Sequence, residues 1–481
     1  MSIRIYDTLS RRMVDLEPRE PGRISMYACG PTVYNYMHIG NIRTSLWYDQ
    51  IRRYLTYRGY EVVYVMNYTD VDDKIIERAR VEKIPPEEIA EKYATAFESD
   101  MRAMGSNPPT VLVRATEHID DMIDDVKGLI DKGVAYEAEG DVYFSVEKFP
   151  DYGKLSNRTL DEMRAGERIE PNAKKRHPLD FALWKTAKEG EPSWPSPWGP
   201  GRPGWHIECS VMSRKQLGMG FDIHGGATDL IFPHHENEIA QAEGLEGSAT
   251  PFARNWMHAG LVKMEAEKMS KSLGNVVLVK DLLDEIPGEV ARYWALMGSY
   301  RSQATFSEAA LNDAAQAYER LRNFKQGVAH ALGPDTPSLK SEPRRPLDST
   351  ISEREGAAHI ERFIAAMDDD MNSAEALAAL HDLVRDGNKL LEQVQRGDAE
   401  ARPRLIELME AFLELTWVFN LTLRSETAGS DLAAALIDFL LDLREKARDE
   451  KAFDRADSIR ARLAELGVAV EDTPAGPRWR L

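Results

Sequence analysis

Two short segments carry residues suited to chemistry on a nucleotide. The first, His38-Ile39-Gly40-Asn41, follows residues that predict a β-strand from Ile24, a Gly-Pro turn and a helix beginning near His38. A helix N-terminus binds phosphate, an imidazole can donate a hydrogen bond to the α-phosphate, and Gly40 leaves room for an adenine ring over its backbone. Taken alone, the segment is equally compatible with a strand-to-helix turn that holds an incidental histidine.

The second segment, Lys268-Met269-Ser270-Lys271-Ser272, places two ammonium groups three residues apart. Lys268 and Lys271 can reach both ends of a leaving pyrophosphate, while serine hydroxyls and backbone amides hold the loop. Alone, this segment is also compatible with a solvated basic turn. The two segments in this order, about 230 residues apart, favour chemistry that forms an adenylate from ATP.

Cysteine and histidine are distributed unevenly. The two cysteines among the 481 residues, Cys29 and Cys209, exclude a disulfide framework. Six of the eleven histidines fall between His177 and His258. Such a concentration is expected near a metal or a catalytic centre.

A metal site is predicted around His234 and Glu238. Residues 221–238 predict a strand, a Gly-Gly turn and a helix starting just after a proline, so these two side chains lie one turn apart on one helical face. Cys209 lies at the start of another predicted helix, and Cys29 ends the first strand. If the strand that ends at Cys29 and the strand predicted within residues 221–238 are neighbours in a nucleotide-binding sheet, both thiols can meet His234 and Glu238. Two thiolates, an imidazole and a carboxylate suit zinc best.

Spacing leaves alternatives open at this site. His235 and Glu236 are rival ligands on the same helix. Without a metal, the cysteines would be small buried hydrophobic residues and the His-Glu pair would be an ion pair on a helix surface.

The two signature segments resemble those of the class I aminoacyl-tRNA synthetases, which read HIGH and KMSKS. Here Asn41 replaces the second histidine, and the cysteinyl-tRNA synthetases are the most similar members because that family carries HIGN. The resemblance implies activation of L-cysteine with ATP and magnesium, and transfer of the cysteinyl group to the 3′ end of tRNA(Cys).

The resemblance also implies roles for individual residues. One zinc per subunit would be held by four ligands, expanding its coordination to accept the substrate thiolate: Cys29, Cys209, His234 and Glu238. Residues implied at ATP are His38, Gly40 and Asn41, with Lys268 and Lys271 on the departing phosphates. Residues implied in the cysteine pocket are Thr69 along its wall, Trp205 at its floor and Asp229 opposite the substrate ammonium. The roles of four further histidines stay open: His206, His224, His235 and His258.

Selection of cysteine over serine has a physical basis in such a site. A hydrophobic pocket separates near-isosteres by about 10- to 200-fold, whereas a thiol deprotonates on zinc and forms a bond that a serine hydroxyl cannot match. An editing domain is therefore not expected. The insertion at residues 116–203 agrees, since it is short and its hairpin signal, residues 134–146 about Glu139-Gly140, is a small fold element.

Composition limits the class of protein. A 43% hydrophobic chain of 481 residues can form several domains, and the absence of an apolar run of 18 residues together with a polar start predicts a soluble, cytoplasmic protein without a membrane partner. We expect a monomer. The net charge of −19 argues against a nucleic-acid partner, yet phosphate binding depends on local basic surface.

The expected fold class is α/β: a Rossmann-type nucleotide-binding catalytic domain with an insertion, followed by an α-helical bundle and a small C-terminal domain. The expected divisions are residues 1–115 and 204–265 for the catalytic domain, 116–203 for the insertion, 266–332 for the lysine loop and stem-contact helices, 348–425 for a tRNA-binding bundle, and 431–481 for an anticodon-binding domain.

Several local predictions accompany this division. Helices are expected over 282–299 and 311–332, followed by a Pro-rich linker, and Ser373 is expected to cap a bundle helix. Asp70, Asp72 and Asp73 are expected to cap a helix N-terminus.

The C-terminal tail bears on the acceptor. Residues 444–481 hold nine Lys or Arg against eight Asp or Glu, and Trp479 lies between two arginines, where it could stack on an anticodon base or simply pack. One rival function is a cysteine ligase of the mycothiol pathway, which joins cysteine to an amino-sugar and lacks such a tail. Another is a non-catalytic, zinc-stabilised RNA-binding protein, against which the intact His38, Lys268 and Lys271 argue.

Overall fold

The computed structural model describes residues 2–166, 173–264, 277–351, 353–423, 426–449, 452–466, 468–473 and 476–480. The chain forms two units, residues 1–422 and 423–481. The strands are β1 (Arg4–Asp7), β2 (Arg12–Asp15), β3 (Arg23–Ala28), β4 (Glu61–Tyr68), β5 (Val111–Arg114), β6 (Ala135–Ala138), β7 (Asp141–Phe144), β8 (Phe181–Thr186), β9 (Gly201–Pro203), β10 (Phe221–Ala227), β11 (Ala253–Ala259), β12 (Val262–Met264), β13 (Ala304–Phe306), β14 (Ala469–Thr473) and β15 (Gly476–Arg480). The helices are α1 (Ile39–Tyr57), α2 (Asp73–Glu82), α3 (Pro86–Ala103), α4 (Ile119–Asp131), α5 (Leu160–Gly166), α6 (Trp205–Leu217), α7 (Glu236–Glu246), α8 (Val279–Glu285), α9 (Gly288–Leu296), α10 (Glu308–Leu332), α11 (Ala357–Asp368), α12 (Ser373–Gln395), α13 (Ala401–Val418), α14 (Glu426–Asp449) and α15 (Phe453–Glu465).

A five-stranded parallel sheet in the order β11-β10-β3-β4-β5 forms the centre of the first unit. Its strands are mostly buried apolar runs, as expected when helices cover both faces. Strands β3 and β10 are neighbours, with Ala28 beside Gly225. From β3, one half of the sheet continues through β4 to β5 and the other half through β10 to β11. Open α/β sheets bind ligands at the carboxyl ends of the strands where the strand order reverses in this way. The predicted α/β class with a following helical domain is confirmed.

Helix α1 is fixed to the sheet by a buried tyrosine. The Tyr48 hydroxyl lies 3.0 Å from the carbonyl of Gly226 in β10 and 2.6 Å from that of Met257 in β11. A Cβ added at Gly225 would collide with this hydroxyl and lie 2.6 Å from the Met257 carbonyl. The predicted Gly-Gly turn is therefore wrong: both glycines continue strand β10, and Gly225 is required because the helix approaches closely.

The insertion carries a four-stranded antiparallel sheet, β6-β7-β8-β9. Its first two strands form the predicted hairpin, with Ala138 opposite Asp141. Glu139 and Gly140 both have positive φ, 54° and 83°, which is the signature of a type I′ turn. This local prediction is confirmed because the turn chemistry is encoded by neighbouring residues.

Helices α8 to α13 complete the first unit, with two corrections to the sequence prediction. The helix expected over 282–299 is divided into α8 and α9, because Pro287 cannot continue the hydrogen-bond ladder. The cap of α12 is Asn372, whose side chain accepts a hydrogen bond from the Glu375 amide at 3.2 Å. The Ser373 hydroxyl instead donates to the Leu296 carbonyl at 2.6 Å, which joins α12 to α9.

The three aspartates near the start of α2 have different roles. Asp72 caps the helix, as predicted, by accepting from the Lys74 amide at 2.9 Å. Asp70 instead accepts from the backbone and hydroxyl of Thr116, and Asp73 pairs with Lys185 at 3.0 Å. The prediction of capping is therefore wrong for Asp70, whose partner lies 46 residues away in sequence.

The second unit contains α14, α15 and the antiparallel hairpin β14-β15. Its described core consists of Ile437, Leu441, Leu463 and Val468. Trp479 lies in β15 opposite Val470. Among the described residues of the whole chain, no helix combines the length and apolar character needed to cross a membrane.

Candidate active site

Four donor side chains meet at the carboxyl ends of β3 and β10. Their ligand atoms all lie within 4.8 Å of one another. We call this group the tetrad; its members are Cys29, Cys209, His234 and Glu238. Cys29 directly follows β3, Cys209 lies in the second turn of α6, and Glu238 lies in the first turn of α7. His234 lies in the short turn that precedes α7.

The tetrad has the dimensions of a zinc shell. The Cys29 sulfur lies 3.5 Å from His234 Nε2 and 3.5 Å from Glu238 Oε1, and the latter two atoms are 3.0 Å apart. Ligand atoms of tetrahedral zinc with these donors are about 3.5 Å apart. Three of the four members are buried. A buried set of two sulfurs, an imidazole and a carboxylate therefore fits a zinc ion.

The rival ligands named from the sequence have other partners. Glu236 accepts hydrogen bonds from backbone amides of the insertion, including those of Gly153 and Ser156. His235 Nδ1 lies 2.7 Å from His258 Nε2. His235 can nevertheless form a second donor group with Cys29, His224 and Glu238.

Two further histidines orient the tetrad. His224 Nε2 lies 2.8 Å from Glu238 Oε2, which leaves Oε1 directed at Cys29 and His234. His206 Nδ1 lies 2.9 Å from His234 Nδ1, so the Nε2 atom of His234 faces the sulfurs. Partners of this kind fix the orientation of a metal ligand. Both histidines were noted in the sequence, but the sequence did not show which ligand each of them contacts.

The tetrad binds protons in the absence of a metal. Burial alone would lower the pKa of His234, but the negative charges of Glu238 and Cys209 raise it to about 10. Burial and a hydrogen bond with Cys209 raise the pKa of the Cys29 thiol well above its usual value. Burial opposes ionisation of Cys209 too, but its contacts with Cys29 and His234 lower that pKa to about 6. A metal would have to displace the protons on Cys29 and His234.

The residues assigned to the cysteine pocket lie beside the tetrad to different degrees. Trp205 is 37% exposed, and its ring stacks on that of His234 at 4.2 Å between centroids. Thr69 is buried, and its hydroxyl donates to Glu208 Oε2 at 2.8 Å. Asp229 is exposed and acts electrostatically on His38, opposing the lowering of the His38 pKa by burial. Trp205 is thus in direct contact with the tetrad, whereas Asp229 lies toward the first signature segment.

His38 occupies the position that the sequence predicts, at the N-cap of α1. Its Nδ1 accepts a hydrogen bond from the Gly40 amide at 3.1 Å, so the ring proton is on Nε2 and is available to a ligand. A Cβ at Gly40 would lie 3.0 Å from the imidazole ring, which a substitution would disturb. Asn41 is exposed at the same helix end.

Lys268 and Lys271 lie outside the described residues. The backbone that follows their segment pairs with the first signature: the Ile39 amide donates to the Val277 carbonyl at 3.1 Å, and the Val279 amide donates to the Met37 carbonyl at 2.8 Å. The described chain that resumes at residue 277 is therefore attached beside the N-terminus of α1.

Comparison with known proteins agrees with this geometry. A family model described as the class I (C) tRNA synthetase catalytic domain matches residues 15–316. The DALR domain matches residues 362–424, and the cysteinyl-tRNA ligase anticodon binding domain matches residues 431–480. The chain belongs to the cysteinyl-tRNA ligase family.

Relatives in this family cover the whole chain. The cysteine-tRNA ligase of Carboxydothermus hydrogenoformans is 48% identical, over 99% of this chain and 100% of that protein. The cysteine-tRNA ligase of Brevibacillus brevis is 46% identical, over 100% of both chains.

A solved structure shares the fold. The methionyl-tRNA synthetase of Mycobacterium tuberculosis in complex with methionyl-adenylate matches with a TM-score of 0.61 and 15% identity, over 85% of this chain and 93% of that one. At this identity the likeness shows the class I synthetase fold alone.

Three residues that contact side chains of the site were not singled out from the sequence. Glu208 and Asn67 are buried polar side chains that contact Thr69 and Cys209, respectively. Tyr27 is fully buried beside His224, with 5.3 Å between ring centroids. Tyr27 stands two residues before Cys29 in a strand, and residues with this spacing share a face of the sheet, so its position was a usable signal.

Proposed function

We propose that this chain is a cysteine-tRNA ligase that forms cysteinyl-adenylate from cysteine and ATP and then transfers the cysteinyl group to the 3′ end of tRNA(Cys). The observation that carries the proposal is the tetrad at the carboxyl ends of β3 and β10, beside a helix N-terminus suited to phosphate. Membership of the cysteinyl-tRNA ligase family supports the same reaction.

The tetrad would hold one zinc ion. When bound, zinc supplies a soft Lewis acid that selects the thiolate of cysteine over the hydroxyl of serine. Trp205, stacked on His234, forms the floor beside this position, and Thr69 forms part of the wall. Asp229 provides the negative charge for the substrate ammonium.

The first step joins the substrate carboxylate to the α-phosphorus of ATP and releases pyrophosphate. His38 donates its Nε2 proton as a hydrogen bond to the α-phosphate, since Nδ1 is occupied by the Gly40 amide. Asn41 acts at the triphosphate, and Lys268 and Lys271 neutralise the departing phosphates. Magnesium accompanies ATP through its phosphate oxygens. Catalysis is by positioning and charge stabilisation, without a covalent enzyme intermediate.

In the second step, a hydroxyl of the terminal ribose of tRNA attacks the acyl carbon and AMP leaves. The match of residues 431–480 to an anticodon binding domain supports tRNA as the acceptor, in preference to an amino-sugar. We assign residues 116–203 to a connective insertion, 266–332 to the lysine loop and stem contacts, and 348–425 to a tRNA-binding bundle. We also propose a cytoplasmic monomer, which light scattering after size exclusion would test.

The decisive experiment is ATP-pyrophosphate exchange driven by cysteine and, separately, by serine, with zinc content measured on the same sample. We expect exchange with cysteine only, and about one zinc per chain. Charging of tRNA(Cys) transcripts then tests the acceptor. Zinc-replete protein without exchange would refute the activity, whereas exchange without charging would revive a different acceptor.

A further inference from the structure

Arg43 is a buried cation without an acidic partner. It lies in the second turn of α1, is 2% exposed, and forms no ion pair with a carboxylate of the described residues. Its Nη1 atom donates to the Gly260 carbonyl at 2.6 Å and its Nη2 atom to the Ser299 carbonyl at 3.0 Å, whereas its buried Nε atom has no partner among the described residues. Neutral carbonyls do not balance a full charge, and a buried charge without a counterion is costly. This arrangement is consistent with a counterion that arrives with a ligand.

The guanidinium of Arg43 lies on the nucleotide side of the site. Gly260 directly follows β11, so its carbonyl is at the carboxyl end of the sheet. Two residues further on, the Cβ atom of Val262 lies 3.8 Å from the position that a Cβ would have at Gly40, in the first turn of α1. Side chains of a helix lean toward its N-terminus, which brings the guanidinium toward the His38 end. The buried charge is therefore beside the helix end that is suited to phosphate.

The charge of Arg43 adds to the positive field of this helix end. The N-terminus of α1 carries the equivalent of about half a positive charge, and no acidic residue lies in its first turn. Burial lowers the pKa of Arg43 to about 10, so the guanidinium is charged at neutral pH. Asp229, which acts on His38, does not act on Arg43. Like charges repel one another, so one anion at the helix end would stabilise both.

We propose that Arg43 supplies, through space, part of the positive charge that binds the triphosphate of ATP at the His38 end of α1. Both of its terminal nitrogens already donate to carbonyls and the side chain is buried, so this role needs no contact with a phosphate. A charge fixed in a buried region acts more strongly on a nearby anion than one in water. The inference rests on the use of ATP in the proposed function, and it adds a charge from outside the two signature segments.

The test compares ligands with and without phosphate. Arg43→Gln removes the charge and keeps an amide that can donate to a carbonyl. We expect the dissociation constant for ATP, measured by isothermal titration calorimetry, to rise by about 10-fold, because a unit charge still acts across about 10 Å at an effective dielectric constant of about 20. The dissociation constant for adenosine, which is uncharged, should stay within about twofold of wild type. A distorted helix end would weaken both ligands alike, and that result would overturn the proposal.

Two further variants isolate the charge at this position. Arg43→Lys keeps the charge and should bind ATP within about threefold of wild type. Arg53→Gln is the matched control: Arg53 is also buried, donates to the carbonyls of Trp417 and Val418, and lies ten residues further along α1, a distance of about 15 Å along the helix axis. It should leave the affinities for ATP and adenosine unchanged. If lysine does not preserve ATP binding, or if the control loses it equally, the proposal is overturned.

The same measurements separate this proposal from the one on which it rests. Wild-type protein that binds neither adenosine nor ATP would overturn both. Wild-type protein that binds ATP but shows no cysteine-dependent ATP-pyrophosphate exchange would refute the proposed function alone, whereas equal ATP binding by wild type and Arg43→Gln would overturn the role of Arg43 alone. If Arg43→Gln does not fold, Arg43→Met takes its place. If neither neutral variant folds, the arginine is required for the fold and the proposal is overturned.

Discussion

The metal site contains contacts between residues that are close in sequence and contacts between residues from different elements. His234 and Glu238 face one another because they are four residues apart, and their contact was predictable from the sequence. The two histidines that orient them, His206 and His224, come from different elements. The chain contains eleven histidines, and their positions in the sequence do not indicate which of them contact His234 and Glu238. Only the folded structure shows these pairs.

Replacement of one tetrad member tests the metal site. Cys209→Ser should lose zinc and cysteine activation together while circular dichroism and thermal unfolding stay close to wild type. The loss of activation is expected to be on the order of 100- to 1000-fold, because a metal Lewis acid contributes several kcal/mol. The control is Ser213→Ala, one turn further along α6, whose hydroxyl in the described part of the chain donates only to carbonyls of its own helix. Full activity in Cys209→Ser would show that the ligand assignment is wrong.

A second residue predicts a pH-dependent stability. Asp100 lies in the last turn of α3, its Oδ2 atom has no hydrogen-bond partner among the described residues, and burial raises its pKa from 3.8 to about 6. Because the folded-state pKa is raised, ionisation of Asp100 destabilises the protein above pH 6. The effect declines between pH 6 and 3.8 and is absent below that range.

Asp100→Asn should therefore increase the free energy of unfolding by about 1–3 kcal/mol at pH 8 and by little at pH 4, as measured by urea denaturation. The exposed Asp313→Asn is the control and should change neither value. Equal stabilisation by Asp100→Asn at both pH values would contradict the assigned cause.

At the scale of elements, the contact between α1 and β10 places the nucleotide side of the site next to the metal side. Tyr48 bonds to carbonyls of β10 and β11, and this close approach excludes a side chain at Gly225. The sequence presented Gly225-Gly226 as a turn signal. Glycine pairs serve turns and close contacts equally well, so the neighbouring element decides between them.

Gly225→Ala should destabilise the protein by about 1–3 kcal/mol, because the added methyl overlaps the Tyr48 hydroxyl and the Met257 carbonyl in a packed core. Thermal unfolding measures the effect. Gly298→Ala adds the same group at a position where no atom of the described residues lies within 4 Å, and it serves as the control. An unchanged melting temperature in Gly225→Ala would refute the requirement for glycine.

At the scale of the whole molecule, the two units separate the two halves of the proposed reaction. The tetrad and the His38 helix end belong entirely to the first unit, residues 1–422, and the match to an anticodon binding domain belongs to the second. We therefore expect activation of cysteine to need no residue of the second unit, and recognition of tRNA to depend on that unit.

A chain that ends at residue 425 should retain ATP-pyrophosphate exchange within about twofold and lose tRNA charging. Stacking of one base contributes about 1–3 kcal/mol, so kcat/KM for tRNA should fall by roughly 10- to 100-fold for each anticodon base no longer bound. Steady-state charging assays compare the truncated and full chains. If the truncated chain loses ATP-pyrophosphate exchange to the same extent as tRNA charging, the first unit depends on the second for its activity.

The sequence by itself determined the features that neighbouring residues control: the strand and helix that flank His38, the I′ turn at Glu139-Gly140, and the spacing of His234 and Glu238. It also supplied the residue types that suit zinc and phosphate, and the resemblance that named the ligands. These follow from side-chain periodicity and turn chemistry, which act over a few residues.

Only the tertiary structure decided that β3 and β10 are adjacent, that Ser373 bonds to α9 rather than capping α12, and that His224 pairs with Glu238. Strand order and side-chain partners join residues that are distant in sequence, by 205 positions for Cys29 and His234 and by 365 for Arg53 and Val418. Their energies depend on how every intervening element packs, so no local pattern in the sequence specifies them.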